Sequence, residues 1–289
     1  MILVTGANGH LGRHTVEHLA KRLGPSSLEQ LAVSVRDPAK ADELAERGIT
    51  VRHGDFDKPE TLAQAFAGVE RLVLISTDGP KELRIAQHRT AIRAAKATGV
   101  KRIIYTSFLD VKADSPSEFA AVHHATEAEL RASGLELAIL RNPLYADYLP
   151  MTVGGALQSG VFYLSAGEGR TSFISRAELG QALAAVAVKD RLEKTVYELT
   201  GPATHTFHEV AAALGRVTGK PIRYQPVSED AYAQALVEYK VPEWMARALA
   251  NMYTAVAVGN FDRVTGDFAA LVGHPAPPLD KLIEDFFAR

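Results

Sequence analysis

Short runs of β-branched and aliphatic residues alternate with segments of helical period along the first 140 residues of the chain. Six of these runs predict strands, at Ile2–Val4, Leu31–Val35, Ile49–Arg52, Arg71–Ile75, Arg102–Thr106 and Glu136–Leu140. Between them, apolar residues recur about every 3.6 positions, as they do on the buried face of an amphipathic helix. Strands that alternate with helices in this way indicate a parallel sheet covered by helices on both faces.

The pattern changes after residue 140, where proline and glycine interrupt it as far as residue 174 and predict loops over the carboxyl edge of the sheet. Ser175–Val188 then predicts a helix, and Thr195–Leu199 a strand that rejoins the sheet. From Phe207 onward the pattern predicts helices and one short strand, Ile222–Gln225.

This order predicts an α/β fold, a Rossmann-type doubly wound parallel sheet with a small, mostly helical C-terminal lobe. Residues 1–150 form the predicted dinucleotide-binding core, which residues 175–200 rejoin. Residues 151–174 and 201–289 form the predicted substrate-side lobe.

Composition excludes several classes of protein. The chain has 289 residues, 47% of them hydrophobic and 23% charged, which is ordinary for a globular protein. Its formal net charge of -2 gives no basic field for nucleic acid or an anionic membrane. It has no cysteine, which excludes disulfides and thiolate chemistry. No apolar run reaches the roughly 18 residues that span a bilayer, and the chain opens directly on a strand, so we expect a cytoplasmic protein.

A glycine-rich turn follows the first predicted strand and opens the first helix. Its sequence is Thr5-Gly6-Ala7-Asn8-Gly9-His10-Leu11-Gly12, with the spacing G-x-x-G-x-x-G. In a strand–turn–helix context, such glycines allow a tight turn, a close approach to a pyrophosphate and close packing of helix on strand. The helix N-terminus then offers free N–H groups to the phosphates. The turn predicts dinucleotide binding.

The end of the second strand bears on the choice between NADP and NAD. Proteins that prefer NAD usually place an acidic residue there, to accept a hydrogen bond from the ribose 2′-hydroxyl. Here Arg36 follows Val35, and a guanidinium can pair with a 2′-phosphate. The alternative is an exposed arginine in a turn, with Asp37 as the ribose acceptor. We expect NADP(H).

These segments resemble one family. The turn from Val4 to Gly12, Val35–Lys40, Tyr105-Thr106-Ser107 and Leu140–Tyr145 occur in this order in the NmrA-like, atypical short-chain dehydrogenases. Within that group, the chain is most similar to the NADPH-dependent type 2 quinone oxidoreductases and the triphenylmethane reductases. The likeness extends over nearly the whole length and includes His123–Glu127 and Leu271–Pro275.

The resemblance implies a set of residues that contact the cofactor. In the turn and at the 2′-phosphate it implies Gly6, Ala7, Asn8, Gly9, His10, Leu11, Gly12 and Arg36. At the adenosine ribose it implies Ile75 and Ser76, and beside the nicotinamide Ser107, Asn142, Pro143, Leu144 and Tyr145. The carboxyl ends of strands are where open α/β sheets bind ligands.

The chain departs from ordinary short-chain dehydrogenases on the helix after the fifth strand. Those enzymes carry Tyr-x-x-x-Lys there, with the tyrosine as proton donor. Residues 117–133 contain neither tyrosine nor lysine, and Ala121 and Ala125 align with the two positions. A site without that acid favours acceptors whose reduction does not require a strong proton donor, such as quinones and cationic or conjugated aromatic compounds.

Two residues are candidates for the acceptor site, which we expect between Leu144–Tyr148 and the appended lobe. Tyr145 can stack on an acceptor ring or donate a hydrogen bond to it, or it can simply fill the sheet edge. His123 can act as a proton donor, or it can make a structural hydrogen bond on its helix.

Three functions follow from these observations. The first is a flavin-independent, NADPH-dependent reductase of quinones or similar aromatic acceptors. The second is a non-catalytic NADP(H)-binding redox sensor, because a family member that has lost its catalytic activity would also lack the proton donor. An ordinary short-chain dehydrogenase is third, and the missing dyad counts against it. We expect a small aromatic or quinone substrate, neither nucleic acid nor membrane as a partner, and a homodimer as the common default.

Metal binding is the least favoured interpretation of the first helix. His10, His14 and His18 recur every four residues there, but no acidic or thiol ligand nearby completes a site, so we expect no metal.

The first prediction tests the choice of cofactor. Substituting Arg36→Ala should raise KM for NADPH sharply and leave KM for NADH almost unchanged, because only NADPH carries the phosphate that the guanidinium would bind. Steady-state kinetics with both cofactors measure the change. Equal effects on NADPH and NADH would contradict the assignment.

Overall fold

The predicted alternation of strands and helices is present in the computed structural model, which describes residues 1–288. The strands are β1 Ile2–Thr5, β2 Leu31–Val35, β3 Thr50–His53, β4 Arg71–Leu74, β5 Arg102–Phe108, β6 Glu136–Asn142, β7 Leu144–Tyr145, β8 Val161–Leu164, β9 Arg170–Thr171, β10 Phe173–Ile174, β11 Val196–Glu198, β12 His205–Thr206 and β13 Arg223–Pro226. All eight strands predicted from the sequence are present, with bounds within two residues of the predicted ones.

The helices follow the same order along the chain. They are α1 His10–Leu23, α2 Asp42–Glu46, α3 Pro59–Ala65, α4 Lys81–Ala97, α5 Glu118–Ser133, α6 Leu149–Val153, α7 Ala156–Ser159, α8 Arg176–Val188, α9 Phe207–Thr218, α10 Glu229–Glu238, α11 Glu243–Ala257, α12 Asp267–Val272 and α13 Leu279–Phe287. Short 3₁₀ turns lie at Pro25–Gln30, Pro38–Ala41 and Ala146–Tyr148.

A seven-stranded sheet has the order β11-β6-β5-β4-β1-β2-β3. The pairs β1–β2, β1–β4, β2–β3 and β4–β5 are parallel, and Ile2 stands between Leu31 and Arg71 in the register. The order reverses between β1 and β4, which is the point where doubly wound sheets bind nucleotides. The Rossmann-type prediction is therefore confirmed, including the late strand β11 that returns to the sheet edge.

The chain divides into two compact units, each with its own apolar core. The core unit comprises Met1–Ser107, Val122–Arg141 and Arg176–Tyr197. The second unit comprises Phe108–Ala121, Asn142–Ser175 and the described chain from Glu198 onward. Residues 142–150, which the sequence analysis assigned to the dinucleotide-binding core, group with the second unit in this division.

The prediction of loops from residue 141 to residue 174 is wrong. This segment contains α6, α7 and the short strands β8, β9 and β10. These strands pair with distant partners: β8 runs parallel to β13, β9 antiparallel to β12, and β10 parallel to β7. Strands of two to four residues carry too short a hydrophobic pattern to be predicted without their partners. The mostly helical character predicted for the C-terminal lobe is confirmed by α9–α13.

Helix α8 supports α1 within the core unit. A Cβ added at Gly180 would lie 2.7 Å from His14 Cβ and 2.9 Å from the backbone nitrogen of Thr15, so the two helices approach more closely than any side chain at 180 allows. Two arginines hold the far end of α8. Arg71 donates to the Ala187 carbonyl at 3.0 Å, and Arg102 donates to the Asp190 carbonyl at 2.9 Å. Cations at a helix C-terminus are favoured by its free carbonyls and its dipole.

The second prediction tests this close approach. Substituting Gly180→Ala should lower the free energy of unfolding by about 1–3 kcal/mol, because the methyl group must push apart two packed backbones. Thermal or urea unfolding measures the loss.

A matched control is available at Gly155, which has a helical φ of -59° and no atom within 4 Å of an added Cβ. Substituting Gly155→Ala should stabilise the protein slightly, by about 0.4–1 kcal/mol, since it restricts only the unfolded chain. Equal stability of the two variants would show that the α1–α8 contact tolerates a methyl group.

Candidate functional site

The glycine-rich turn brings the first helix close to the end of β1. Gly6 has a φ of +63°, a conformation that side chains rarely adopt. The Gly9 N–H donates to the Gly6 carbonyl at 2.9 Å. A Cβ at Gly12 would lie 2.2 Å from that same carbonyl oxygen. The first turn of α1 therefore rests directly on the backbone that leaves β1, and only glycine fits at Gly12.

The N-terminus of α1 suits an anionic ligand. Its N-cap, Gly9, offers no side-chain oxygen, and the first turn contains no acidic residue. The backbone N–H groups there point along the helix axis with a partial positive charge. Gly6, Gly9 and His10 are exposed, whereas Ala7, Leu11 and Gly12 are buried. These residues fit the pyrophosphate of a dinucleotide.

Arg36 lies immediately after β2 and is exposed. Among residues 1–288 it has no ion-pair partner, whereas the neighbouring Asp37 lies 3.6 Å from the ammonium of Lys40. A guanidinium with no internal carboxylate partner is available to a phosphate. This placement supports a role for Arg36 at the 2′-phosphate.

The segment Ile75–Thr77, directly after β4, is held by three successive backbone hydrogen bonds. Its N–H groups donate in chain order to Thr5 Oγ1 at 3.0 Å, Thr106 Oγ1 at 2.8 Å and His88 Nε2 at 3.0 Å. The acceptors come from β1, β5 and α4, so this segment connects three elements of the core unit. Because the N–H groups of this segment bind other parts of the core unit, its carbonyl and hydroxyl oxygens are the groups left for a ligand. Such oxygens can accept hydrogen bonds from ribose hydroxyls.

His88 is a neutral histidine with a defined tautomer. The Thr77 N–H donates to Nε2, so the ring proton is on Nδ1, which lies 2.9 Å from Thr126 Oγ1. Thr126 in turn donates to the Val122 carbonyl at 2.9 Å. Burial, and the neighbouring Arg84, lower the pKa of His88 to about 3. Sequence reasoning missed this residue, because nothing in a helical pattern shows which histidine faces a buried N–H group.

His123 is buried in the same region of the core unit. Its Nδ1 lies 2.8 Å from Tyr105 Oη, and its Nε2 lies 3.4 Å from an Arg84 nitrogen. Burial lowers the pKa of His123 well below its ordinary value, and Arg84 and His88 add to the effect. A ring that stays neutral and is engaged by its neighbours is a poor proton donor. These contacts favour the structural interpretation of His123 over the catalytic one.

Ser107, near the end of β5, contacts a buried carboxylate. Its Oγ lies 2.7 Å from Glu127 Oε1 on α5. Arg141 binds both oxygens of Glu127, at 3.0 and 2.8 Å, and Arg131 binds Oε2 at 3.1 Å. Burial alone would raise the pKa of Glu127, but the hydrogen bonds from Arg141, Ser107 and Arg131 lower it overall. The role of Glu127 is not visible in the sequence, because its partners lie four to 20 residues away on three elements.

The remaining predicted residues, Asn142 to Tyr145, belong to the second unit. Asn142 is buried, and its Nδ2 donates to Tyr145 Oη at 3.0 Å, while its Oδ1 is buried without a hydrogen-bond partner in the described chain. The ring of Tyr145 stacks on that of Tyr148, with centroids 6.1 Å apart and planes 5° from parallel. Pro143 and Leu144 are buried. The half-exposed Tyr148 gives this aromatic pair a solvent-facing side.

Residues 1–288 contain neither a metal-binding cluster nor a helix that could span a membrane. No group of three or more histidine, aspartate or glutamate side chains is arranged to hold a metal ion. No helix in the same residues has the length and apolar character needed to cross a membrane.

The third prediction uses the low pKa of His88. Because the folded ring stays neutral while the unfolded one titrates near 6.5, the unfolded chain binds the extra proton, and stability falls as pH drops below about 6.5. In a His88→Gln variant, residue 88 does not titrate, and its amide can replace both hydrogen bonds of the ring. Between pH 6 and 4, the free energy of unfolding of this variant should fall by about 1.4 kcal/mol less per pH unit than that of the wild type. Urea unfolding at several pH values measures the slopes.

The exposed His124 provides a matched histidine-to-glutamine control for the substitution itself. Parallel pH profiles for the wild type and His88→Gln would mean that the His88 ring accepts a proton in the folded protein.

The chain matches the NmrA-like family over residues 1–273. It is 38% identical over 287 residues to quinone oxidoreductase 2 of Escherichia coli strain K12, with 99% of each chain covered. It is 28% identical over 276 residues to an NAD(P)H azoreductase of Xenophilus azovorans, covering 96% of this chain and 94% of the azoreductase.

Two solved structures are also similar over nearly the whole chain. The NADPH complex of an E. coli NADPH-dependent quinone oxidoreductase superposes with a TM-score of 0.93 at 38% identity, covering 99% of this chain and 100% of that one. The NADP(H) complex of Citrobacter sp. triphenylmethane reductase gives 0.91 at 36% identity, with 99% of each chain covered. With an intact glycine turn, a seven-stranded sheet and a family match over almost its full length, this chain belongs to the NmrA-like family.

Proposed function

We propose that this protein is an NADPH-dependent oxidoreductase that passes hydride to a quinone or a similar electrophilic aromatic acceptor without a flavin. The observation that supports this proposal most strongly is a combination of two features. The dinucleotide-binding turn is complete, whereas α5 lacks the tyrosine that donates a proton in ordinary short-chain dehydrogenases. Gly6, Gly9 and Gly12 retain the close packing of the turn, while Ala121 and Ala125 stand where ordinary short-chain dehydrogenases have tyrosine and lysine.

The chemistry of the acceptor explains why the missing acid matters. NADPH supplies the hydride when it is bound. Reduction of a simple ketone leaves an alkoxide as basic as hydroxide, whose conjugate acid has a pKa of roughly 15.7. Reduction of a quinone leaves a phenolate-like oxygen, whose conjugate acid has a pKa of about 10. The difference corresponds to about 8 kcal/mol, so a quinone is far less dependent on a positioned proton donor.

The relatives support the same class of acceptor. Their names describe a quinone oxidoreductase, an NAD(P)H azoreductase and a triphenylmethane reductase. The alternative of a non-catalytic NADP(H) sensor finds no comparable support, because these similar proteins are all named as enzymes.

In this proposal the cofactor is held by the residues that the sequence analysis named. Gly6 to Gly12 and the N-terminus of α1 hold the pyrophosphate, and Arg36 binds the 2′-phosphate. Ile75 and Ser76 lie under the adenosine ribose. Ser107 and Asn142 to Leu144 border the nicotinamide. The buried Oδ1 of Asn142 has no hydrogen-bond partner within residues 1–288, which supports a role for that residue in binding a donor group.

We assign the acceptor to the aromatic pair of the second unit. The stacked rings of Tyr145 and Tyr148 form an aromatic pair, and an aromatic acceptor stacks on an outer face of such a pair. Holding the acceptor in position is the main catalytic contribution left to the protein when it supplies no acid. His123, which is buried against Tyr105, has a structural role in this proposal. The cytoplasmic location and a homodimeric state stay predictions.

The fourth prediction tests this function directly. The purified protein, mixed with NADPH and a panel of small benzoquinones and naphthoquinones, should oxidise NADPH catalytically, and a simple ketone such as cyclohexanone should give no measurable turnover. Substituting Tyr145→Ala should lower kcat/KM for quinones about tenfold while leaving KM for NADPH within about twofold, because in this proposal the ring touches the acceptor and does not touch the cofactor directly. Absorbance of the reduced nicotinamide follows both reactions.

Tyr239 serves as a matched control, because it is 84% exposed at the end of α10, and Tyr239→Ala should have wild-type kinetics. Tight NADPH binding with no turnover on any acceptor would favour the sensor instead. A yellow protein with a flavin spectrum would contradict both functions.

A further inference from the structure

The hydrogen bond between Ser107 and Glu127 has a defined direction. Glu127 is almost fully buried and accepts four hydrogen bonds, two from Arg141, one from Arg131 and one from Ser107. A carboxylate that faces two guanidinium groups at 2.8–3.1 Å is ionised, and an ionised carboxylate can only accept. The hydrogen in the 2.7 Å contact therefore belongs to Ser107.

This direction determines what Ser107 can offer a ligand. A serine hydroxyl has one hydrogen to donate and two lone pairs that accept. With its hydrogen committed to Glu127, the hydroxyl of Ser107 is an acceptor only. Ser107 is 3% exposed, so water cannot easily provide a hydrogen bond where a ligand group fails to make one. A ligand group that contacts this hydroxyl must therefore donate the hydrogen itself.

We propose that the Ser107 hydroxyl accepts a hydrogen bond from the carboxamide N–H of the nicotinamide, and that Glu127 is the positioning residue that makes it an acceptor. The inference rests on the proposed function and adds a contact that fixes the reacting ring. Ser107 lies near the carboxyl end of β5, which is next to β4 in the sheet. In the strand order, β5 and β2, the strand that precedes Arg36, lie on opposite sides of β1. The carboxamide amino group is the hydrogen-bond donor of the nicotinamide ring system, so its chemistry complements an acceptor-only hydroxyl.

The same arrangement disfavours the opposite use of Ser107. The carbonyl oxygens of a quinone or a ketone are acceptors and have no hydrogen to give. An acceptor-only hydroxyl facing such an oxygen would bring two lone pairs together and gain no hydrogen bond. Ser107 is thereby a specificity-determining residue, because it can orient the cofactor and cannot polarise the acceptor carbonyl.

The test compares two cofactors that differ only in the group that Ser107 would contact. The probes are NADP⁺ and 3-acetylpyridine adenine dinucleotide phosphate, in which an acetyl group without N–H replaces the carboxamide. Equilibrium binding by calorimetry gives Kd for each, with no turnover required. The wild type should bind NADP⁺ about five- to tenfold more tightly than the analogue, the range expected for one buried hydrogen bond.

Substituting Ser107→Ala should weaken NADP⁺ binding about five- to tenfold and leave Kd for the analogue within about twofold, so that the ratio approaches one. Ser107→Thr, which keeps the hydroxyl, should restore the ratio. The matched control is Arg131→Ala, which removes the half-exposed donor to Glu127 and leaves the bonds from Arg141 and Ser107 in place. Its ratio should equal that of the wild type.

The outcomes separate this inference from the proposed function. If Ser107→Ala weakens both probes equally, or changes neither, Ser107 does not contact the carboxamide. If the ratio of Kd values is unchanged and kcat for quinones collapses, Ser107 donates to the acceptor, and the inference is overturned while the function stands. If the wild type binds neither probe, the proposed function fails first.

Discussion

The fold depends at its cofactor end on how closely α1 approaches the end of β1. The backbone at Gly6 turns with a positive φ, and Gly12 leaves no room for a side chain against the Gly6 carbonyl. This contact directs the free N–H groups of α1 over the carboxyl edge of the sheet. The segment 75–77 completes the edge, because its three backbone N–H groups bind side chains from β1, β5 and α4 and keep the ends of neighbouring strands at a fixed spacing.

Buried polar groups of the core unit are arranged to stay in one protonation state. His88 and His123 are kept neutral by burial and by a nearby arginine, and Glu127 is kept ionised by two arginines. Efficient general acid–base catalysis requires a group whose pKa lies near the working pH. None of these three groups has a pKa near neutral pH. In the proposed function these groups position ligands and exchange no proton with them, which suits an acceptor that takes up hydride without simultaneous protonation.

Much of this could be predicted from the sequence, for reasons that are local. The glycine turn lies within eight residues and directly follows a strand, so its spacing alone indicates its conformation. Strands β1–β6 are separated by helices and carry their own hydrophobic pattern. In contrast, β8, β9 and β10 are short and depend on partners as far away as β13, and the sequence gives no sign of them. Glu127 was visible as part of a motif, but its role depends on Ser107, Arg131 and Arg141, which only the folded core unit brings together.

Helix α8 has a consequence for the order in which the chain acquires structure during synthesis. The core unit is discontinuous: its second segment ends at Arg141, and the chain contributes 34 residues to the second unit before Arg176 returns to the core. A ribosome that has released only the segment up to Arg141 has made the whole glycine turn, but not the helix whose Gly180 lies against α1. Native contacts between residues so distant in sequence form late and slow folding. A fragment truncated at the apparent boundary of its nucleotide-binding half is therefore an incomplete folding unit, although it contains almost every residue that contacts the nucleotide in the proposed function.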